Sequence, residues 1–169
     1  NIPGGITMTG GTLQSNNGTS DPNGPQLEWN RTSVTTLASA GSATIGGRIR
    51  IRGDGGYAAM SFNVEDGAAV TDLLLSAAVT EASSGMGINK FGSGRMILTG
   101  SNNYSGATTV NAGTLVAETT GTLGSGNLIV NPNAICEIRN TAGAIANTAA
   151  VSLSGNGRLS LATGVAETV

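Results

Sequence analysis

The chain has 169 residues, 27 of them Gly, and its 8 basic and 10 acidic residues leave a net charge of −2. It contains no His, which excludes Ser-His-Asp and Cys-His nucleophilic sites and any His-ligated zinc or haem. A pI near 4.9 supplies no attraction for nucleic acid, and a single Cys can form neither an internal disulfide nor a paired-Cys metal knuckle.

Abundant Gly, Ser and Asn would suit a disordered chain, but such chains are depleted in Val, Ile and Leu and carry high net charge. Here 38% of residues are apolar and aliphatics recur along the whole length. In chain order the apolar pairs are Phe62-Asn63-Val64, Leu73-Leu74-Leu75, Met96-Ile97-Leu98, Leu115-Val116-Ala117, Leu128-Ile129-Val130, Val151-Ser152-Leu153 and Leu159-Ser160-Leu161. A period of two marks strands with one buried face. The runs are short and bounded by segments rich in Gly, Asn or Pro, which supply turns. The best helical candidate, Asp66 to Ser83, carries β-branched residues and no charged face. The fold class is therefore all-β.

Internal echoes favour a solenoid over a sandwich. Gly-Arg-apolar-x-apolar recurs at Gly47-Arg48-Ile49-Arg50-Ile51, Gly94-Arg95-Met96-Ile97-Leu98 and Gly157-Arg158-Leu159-Ser160-Leu161. Gly-Thr-Leu recurs at Gly11, Gly113 and Gly121. Rungs of ~20–25 residues would give about seven or eight coils and, at ~4.8 Å each, a rod roughly 35 Å long. The expected core positions are Leu98, Val110, Leu115, Leu128, Val130, Ile138, Leu153 and Leu161, with Ile97, Val116 and Ile129 facing outward.

The stretch from Ile88 to Ala117 resembles the autotransporter-associated β-strand repeat, also called the passenger-associated transport repeat. The residues that carry the resemblance are Lys90, Gly92, Gly94, Leu98, Gly100, Asn102, Tyr104, Gly106, Thr108, Val110, Gly113 and Leu115. Met96 and Ala107 stand where the family commonly has Leu and Gly. Leu123 to Val130 and Ala134 to Ile138 resemble the usual continuation, so the repeat core is 88–138. Phe62 to Gly67 and Thr71 to Leu75 resemble the region that often precedes it. The resemblance implies a right-handed parallel β-helix on the outside of a bacterium, in the passenger region of a large surface protein. Residues 1–169 are then a single β-helix segment, a piece of a longer array or a unit in one.

Candidate sites each have a plainer reading. Arg52-Gly53-Asp54 matches an integrin-recognition tripeptide, yet follows a strand into a Gly corner and reads as a turn. Glu65, Asp66 and Asp72 form the closest acidic cluster, which a carbohydrate-active enzyme would need; Glu65-Asp66-Gly67 reads as the turn after Phe62–Val64. Cys136 occupies a position where the family has an inward Leu and reads as a buried thiol. Tyr104 reads as the cover of a turn in which Asn102 or Asn103 is left-handed or caps with its side chain. Asn17, Asn30 and Asn103 are glycosylation acceptors by pattern alone. No catalytic residue, metal or cofactor is expected.

No segment approaches the ~20 apolar residues of a membrane span. The first reading is a non-enzymatic, extracellular stalk or fibre element. The alternatives are an adhesin for a surface glycan or host receptor and, third, an enzyme on the same scaffold. Uncapped apolar ends, Ile2 to Ile6 and Leu161 to Val165, point to head-to-tail stacking with itself or to continuation into further repeats of a longer protein.

Overall fold

The computed structural model describes residues 4–15, 26–30, 33–54, 56 and 58–168. Asn17, Tyr57 and Ile2 lie outside the described residues. The chain coils through seven rungs. The first holds β1 (Ile6–Met8), β2 (Gly11–Gln14) and β3 (Leu27–Asn30), and the second β4 (Ser33–Thr36), β5 (Ala43–Gly46) and β6 (Arg48–Arg52). The third holds β7 (Ala59–Val64), β8 (Leu73–Leu75) and β9 (Ala78–Glu81). Four two-stranded rungs follow: β10 (Gly87–Phe91) with β11 (Arg95–Leu98), β12 (Thr108–Val110) with β13 (Thr114–Ala117), β14 (Leu128–Val130) with β15 (Ile135–Ile138), and β16 (Val151–Leu153) with β17 (Arg158–Leu161).

Every strand pairs in parallel with its equivalent one rung away, giving two seven-stranded sheets and one three-stranded sheet. The first sheet is β1-β4-β7-β10-β12-β14-β16, the second β2-β5-β8-β11-β13-β15-β17 and the third β3-β6-β9. This is a parallel β-helix. Beyond β9 the third side continues without strands. Asn103 N donates to Val79 O, and Leu123 N donates to Ala144 O.

The register exposes a change of pitch. Ile6 pairs with Val34, Val34 with Phe62 and Phe62 with Lys90, steps of 28 residues. Lys90 pairs with Val110 and Val110 with Val130, steps of 20, and Val130 pairs with Leu153, a step of 23. The uniform rung of 20–25 residues therefore holds only from the fourth rung on. The first three are longer because a true third strand and wider corners are inserted. The echoes mislead in the same place: Gly47-Arg48 opens onto the third sheet, whereas Gly94-Arg95 and Gly157-Arg158 open onto the second.

Inward columns follow from the alternation of side chains along each strand. Met96, Leu115, Cys136 and Leu159 stack in one, and Leu75, Leu98, Ala117, Ile138 and Leu161 in the next. Leu98, Val110, Leu115, Leu128, Val130 and Ile138 are buried, as expected. Leu153 and Leu161 stack on Val130 and Ile138 yet remain 52% and 46% exposed, because β16 and β17 pair on one side only. Ile97 and Val116 lie outside the core cluster, as expected of outward positions, yet they are covered, at 8% and 0% exposure. The Arg95–Glu137 ion pair reaches across β13, which carries Val116, and Arg139 bridges Glu137 and Glu118 beside it.

Substitution by Asp should therefore rank by burial rather than by face. Leu115→Asp should lower the unfolding free energy by about 4 kcal/mol or more. Val116→Asp should cost about 2 kcal/mol, and half-buried Ile129→Asp under about 1 kcal/mol. Chemical denaturation of the three variants checks the order.

Candidate functional site

The repeat segment places polar side chains inside the coil, where each must find a partner. Lys90 occupies the inward column between Phe62 and Val110 and is fully buried. Its Nζ donates to the carbonyls of Phe91 at 3.0 Å, Gly92 at 2.8 Å and Ala112 at 3.1 Å. An ammonium has three donors, and all three are used, one of them on the next rung. Burial pushes the ammonium pKa down to about 8, against a partial offset from Asp72.

Tyr104 corrects the turn-cover reading. It lies wholly inside, with its hydroxyl 2.7 Å from Thr108 Oγ1, and Thr108 Oγ1 donates to Leu123 O. Burial raises the phenol pKa, and the Thr108 hydrogen bond counters it. Asn102 is not left-handed; among the described residues only Thr119 and Asn133 are non-Gly with positive φ. Its amide instead joins three rungs, accepting from Val79 N at 2.9 Å and donating to Thr122 O at 2.7 Å.

The motif glycines serve two different needs. Gly113 has φ +65°, which only Gly adopts freely. Gly100 has an ordinary φ, but a Cβ there would stand 2.0 Å from Ala77 O on the preceding rung. Close backbone approach, rather than a turn, fixes it. Gly92, Gly94 and Gly106 are the other motif glycines, and Leu98, Val110 and Leu115 fill the core.

The acidic cluster does not converge on an open groove. Asp72 is 6% exposed and accepts from Gly67 N at 2.8 Å and Arg95 N at 2.7 Å. Glu65 accepts from Ala38 N at 3.2 Å, and no group of three metal-ligating side chains exists among the described residues. Asp72 is thereby tied into the frame, whereas Glu65 and Asp66 are exposed. At the Arg52-Gly53-Asp54 corner, Arg52 Nε donates to Asp54 at 3.1 Å and its Nη1 to Glu28 at 2.9 Å. The two side chains that would engage a receptor are bonded to each other. Cys136 is buried, with its thiol pushed up to about 12 by burial and then by Glu137 and Glu167, so it stays protonated.

A shallow depression of about 120 Å³ lies between Glu137, Arg139, Ser160 and Ala162. It is below the ~300 Å³ of ordinary ligand pockets. Partial burial opposes the Glu137 carboxylate, but Arg95 and Arg139 together hold its pKa below the usual carboxylate range. The site that the sequence pattern marks is thus a set of inter-rung fasteners.

Residues 88–117 match the family model of the passenger-associated-transport-repeat. That stretch runs from β10 to the end of β13, two successive rungs. It contains both members of the Lys90–Ala112 and Tyr104–Thr108 contacts. Comparison with curated proteins and with solved structures finds no match to the chain.

Lys90 gives the repeat a signature in pH. Between its folded pKa of about 8 and an unfolded value near 10.4, the unfolded chain holds a proton that the folded chain releases. The stability of the parent relative to Lys90→Met should therefore rise from pH 8 to pH 10.5, by up to about 3 kcal/mol. Parallel urea titrations at the two ends of that window check it.

Proposed function

We propose that this chain is a non-enzymatic, structural and adhesive element, a β-helical stalk or fibre unit displayed outside a bacterial cell. The repeat it carries is one of autotransporter passengers, which are surface or secreted bacterial proteins. The observation that carries the reading is the use made of chemistry-bearing side chains: Lys90, Asp72 and Asn102 are spent on bonds between rungs, and Tyr104 and Thr108 on a buried bond inside the coil. What such a chain provides is length and stiffness, since each rung is bonded to the next and the coil extends by repetition.

Self-association belongs to the same proposal. β16 and β17 each pair on one side only, and a further rung, from a second copy or from more of the same chain, would satisfy their free edge and cover Leu153 and Leu161. Adhesion to a surface glycan or receptor is the companion role.

Light scattering and negative-stain microscopy on the 169-residue chain test the fibre. Mass should grow with concentration into rods thicker in neither dimension than one coil. Leu161→Glu should shorten them, because a charge would be placed in the stacking column. A monomer at every concentration would remove the fibre and leave the stalk.

A further inference from the structure

The three outer faces of the coil differ in charge. Every ion pair among the described residues lies on the second and third sheets or at their ends: Arg50 and Arg52 with Glu28, Arg52 with Asp54, and Arg95 and Arg139 with Glu137 and Glu118. The outward positions of the first sheet carry no charged residue in any of its seven strands. Its one cation, Lys90, points inward.

Uncharged polar side chains occupy most of that face in register, with Ile129 as the apolar interruption on the sixth rung. In one row Thr35, Asn63 and Phe91 stand on successive rungs, and in the neighbouring row Ser61, Asn89 and Thr109 do the same. Phe91 is 39% exposed, unusual for a residue beside a fully buried lysine. It is flanked by Asn63 on the preceding rung and Asn89 on its own strand. None of the five polar side chains makes a hydrogen bond to another described residue. Their amide and hydroxyl groups, donors and acceptors alike, are half-buried and face outward.

We infer that this face binds a neutral, hydroxyl-rich glycan chain laid along the coil axis, with Phe91 as the platform for a sugar ring. Three observations commit it to that occupant. The absence of charge offers nothing to pair with a sulfated or uronic-acid chain or with nucleic acid, while a neutral ligand leaves no ion desolvated. The face is narrow: seven strands ~4.8 Å apart and three residues wide give about 300 Å², against the ~800 Å² per partner of a stable protein complex. A single extended polymer fits that strip, and a second protein does not. Finally, polar groups recur on four successive rungs, at Ser33, Ser61, Asn89 and Thr109, so a polymer gains by repeated weak contacts rather than by one deep pocket.

The inference rests on the adhesive part of the reading above and not on the stalk. Calorimetric titration with neutral β-1,4-linked, β-1,3-linked and α-1,4-linked glucohexaoses and a mannohexaose tests it, with a heparin hexasaccharide as the charged control. At least one neutral hexaose should bind with a Kd on the order of 1 mM, equally at low and high salt, and heparin should not bind. Phe91→Ala should weaken binding at least about tenfold. Thr109→Arg, which alters the face and not the core, should do the same while both variants melt like the parent. Absence of binding by every neutral hexaose, or retention of binding in both variants, overturns the inference. So does a change in the mass of the particles, rather than in sugar binding, on substituting Thr109, which would make the face an interface between copies. None of these results bears on the rods seen by microscopy, which test the stalk separately.

Discussion

Each rung of this protein satisfies its backbone hydrogen bonds on the rungs before and after it, with every strand paired in parallel to its own equivalent. That requirement fixes everything else. In-register stacking puts each side chain directly above its counterpart, so the molecule is a set of columns, and a residue's fate depends on its column more than on its neighbours in sequence. A column of aliphatics needs no further explanation. A polar residue inside a column must bring its own partners, and at Lys90 and Thr108 the neighbouring rung's carbonyls and hydroxyls supply them.

The same constraint explains why the corners are so rich in Gly. Rungs approach closely enough that a single carbon at Gly100 would collide with the carbonyl of Ala77. Asp72 performs a related task at the corner between β7 and β8, where its two oxygens hold Gly67 and Arg95 backbone amides. Its carboxylate is thereby built into the frame rather than offered to a substrate.

Strands with plain alternation, such as the Phe62-Asn63-Val64 end of β7, are legible in the sequence because the apolar residues point in and the polar neighbour points out. β10 and β12 are not, since their inward positions hold Lys90 and Thr108 while Phe91 points out. Hydropathy reads that segment inside out. The resemblance to the repeat identified the right residues, but it could not tell which of them were core, cap or close contact. Tyr104 was misplaced for this reason: flanked by Asn and Ser, it looks like a surface turn, and only the Thr108 hydroxyl four residues on makes its burial possible. Val116 faces outward as its place in the alternation implies, but its covering by an Arg–Glu bridge two rungs long has no local signal in the chain.

Lys90 is the only lysine in the sequence, and its amine lies at the centre of the coil. Reagents that acylate lysine side chains thus find none on the folded rod. Their reaction with this residue requires the fourth and fifth rungs to part, so its rate measures local opening rather than surface access. The molecule carries its own gauge of how often its middle comes apart.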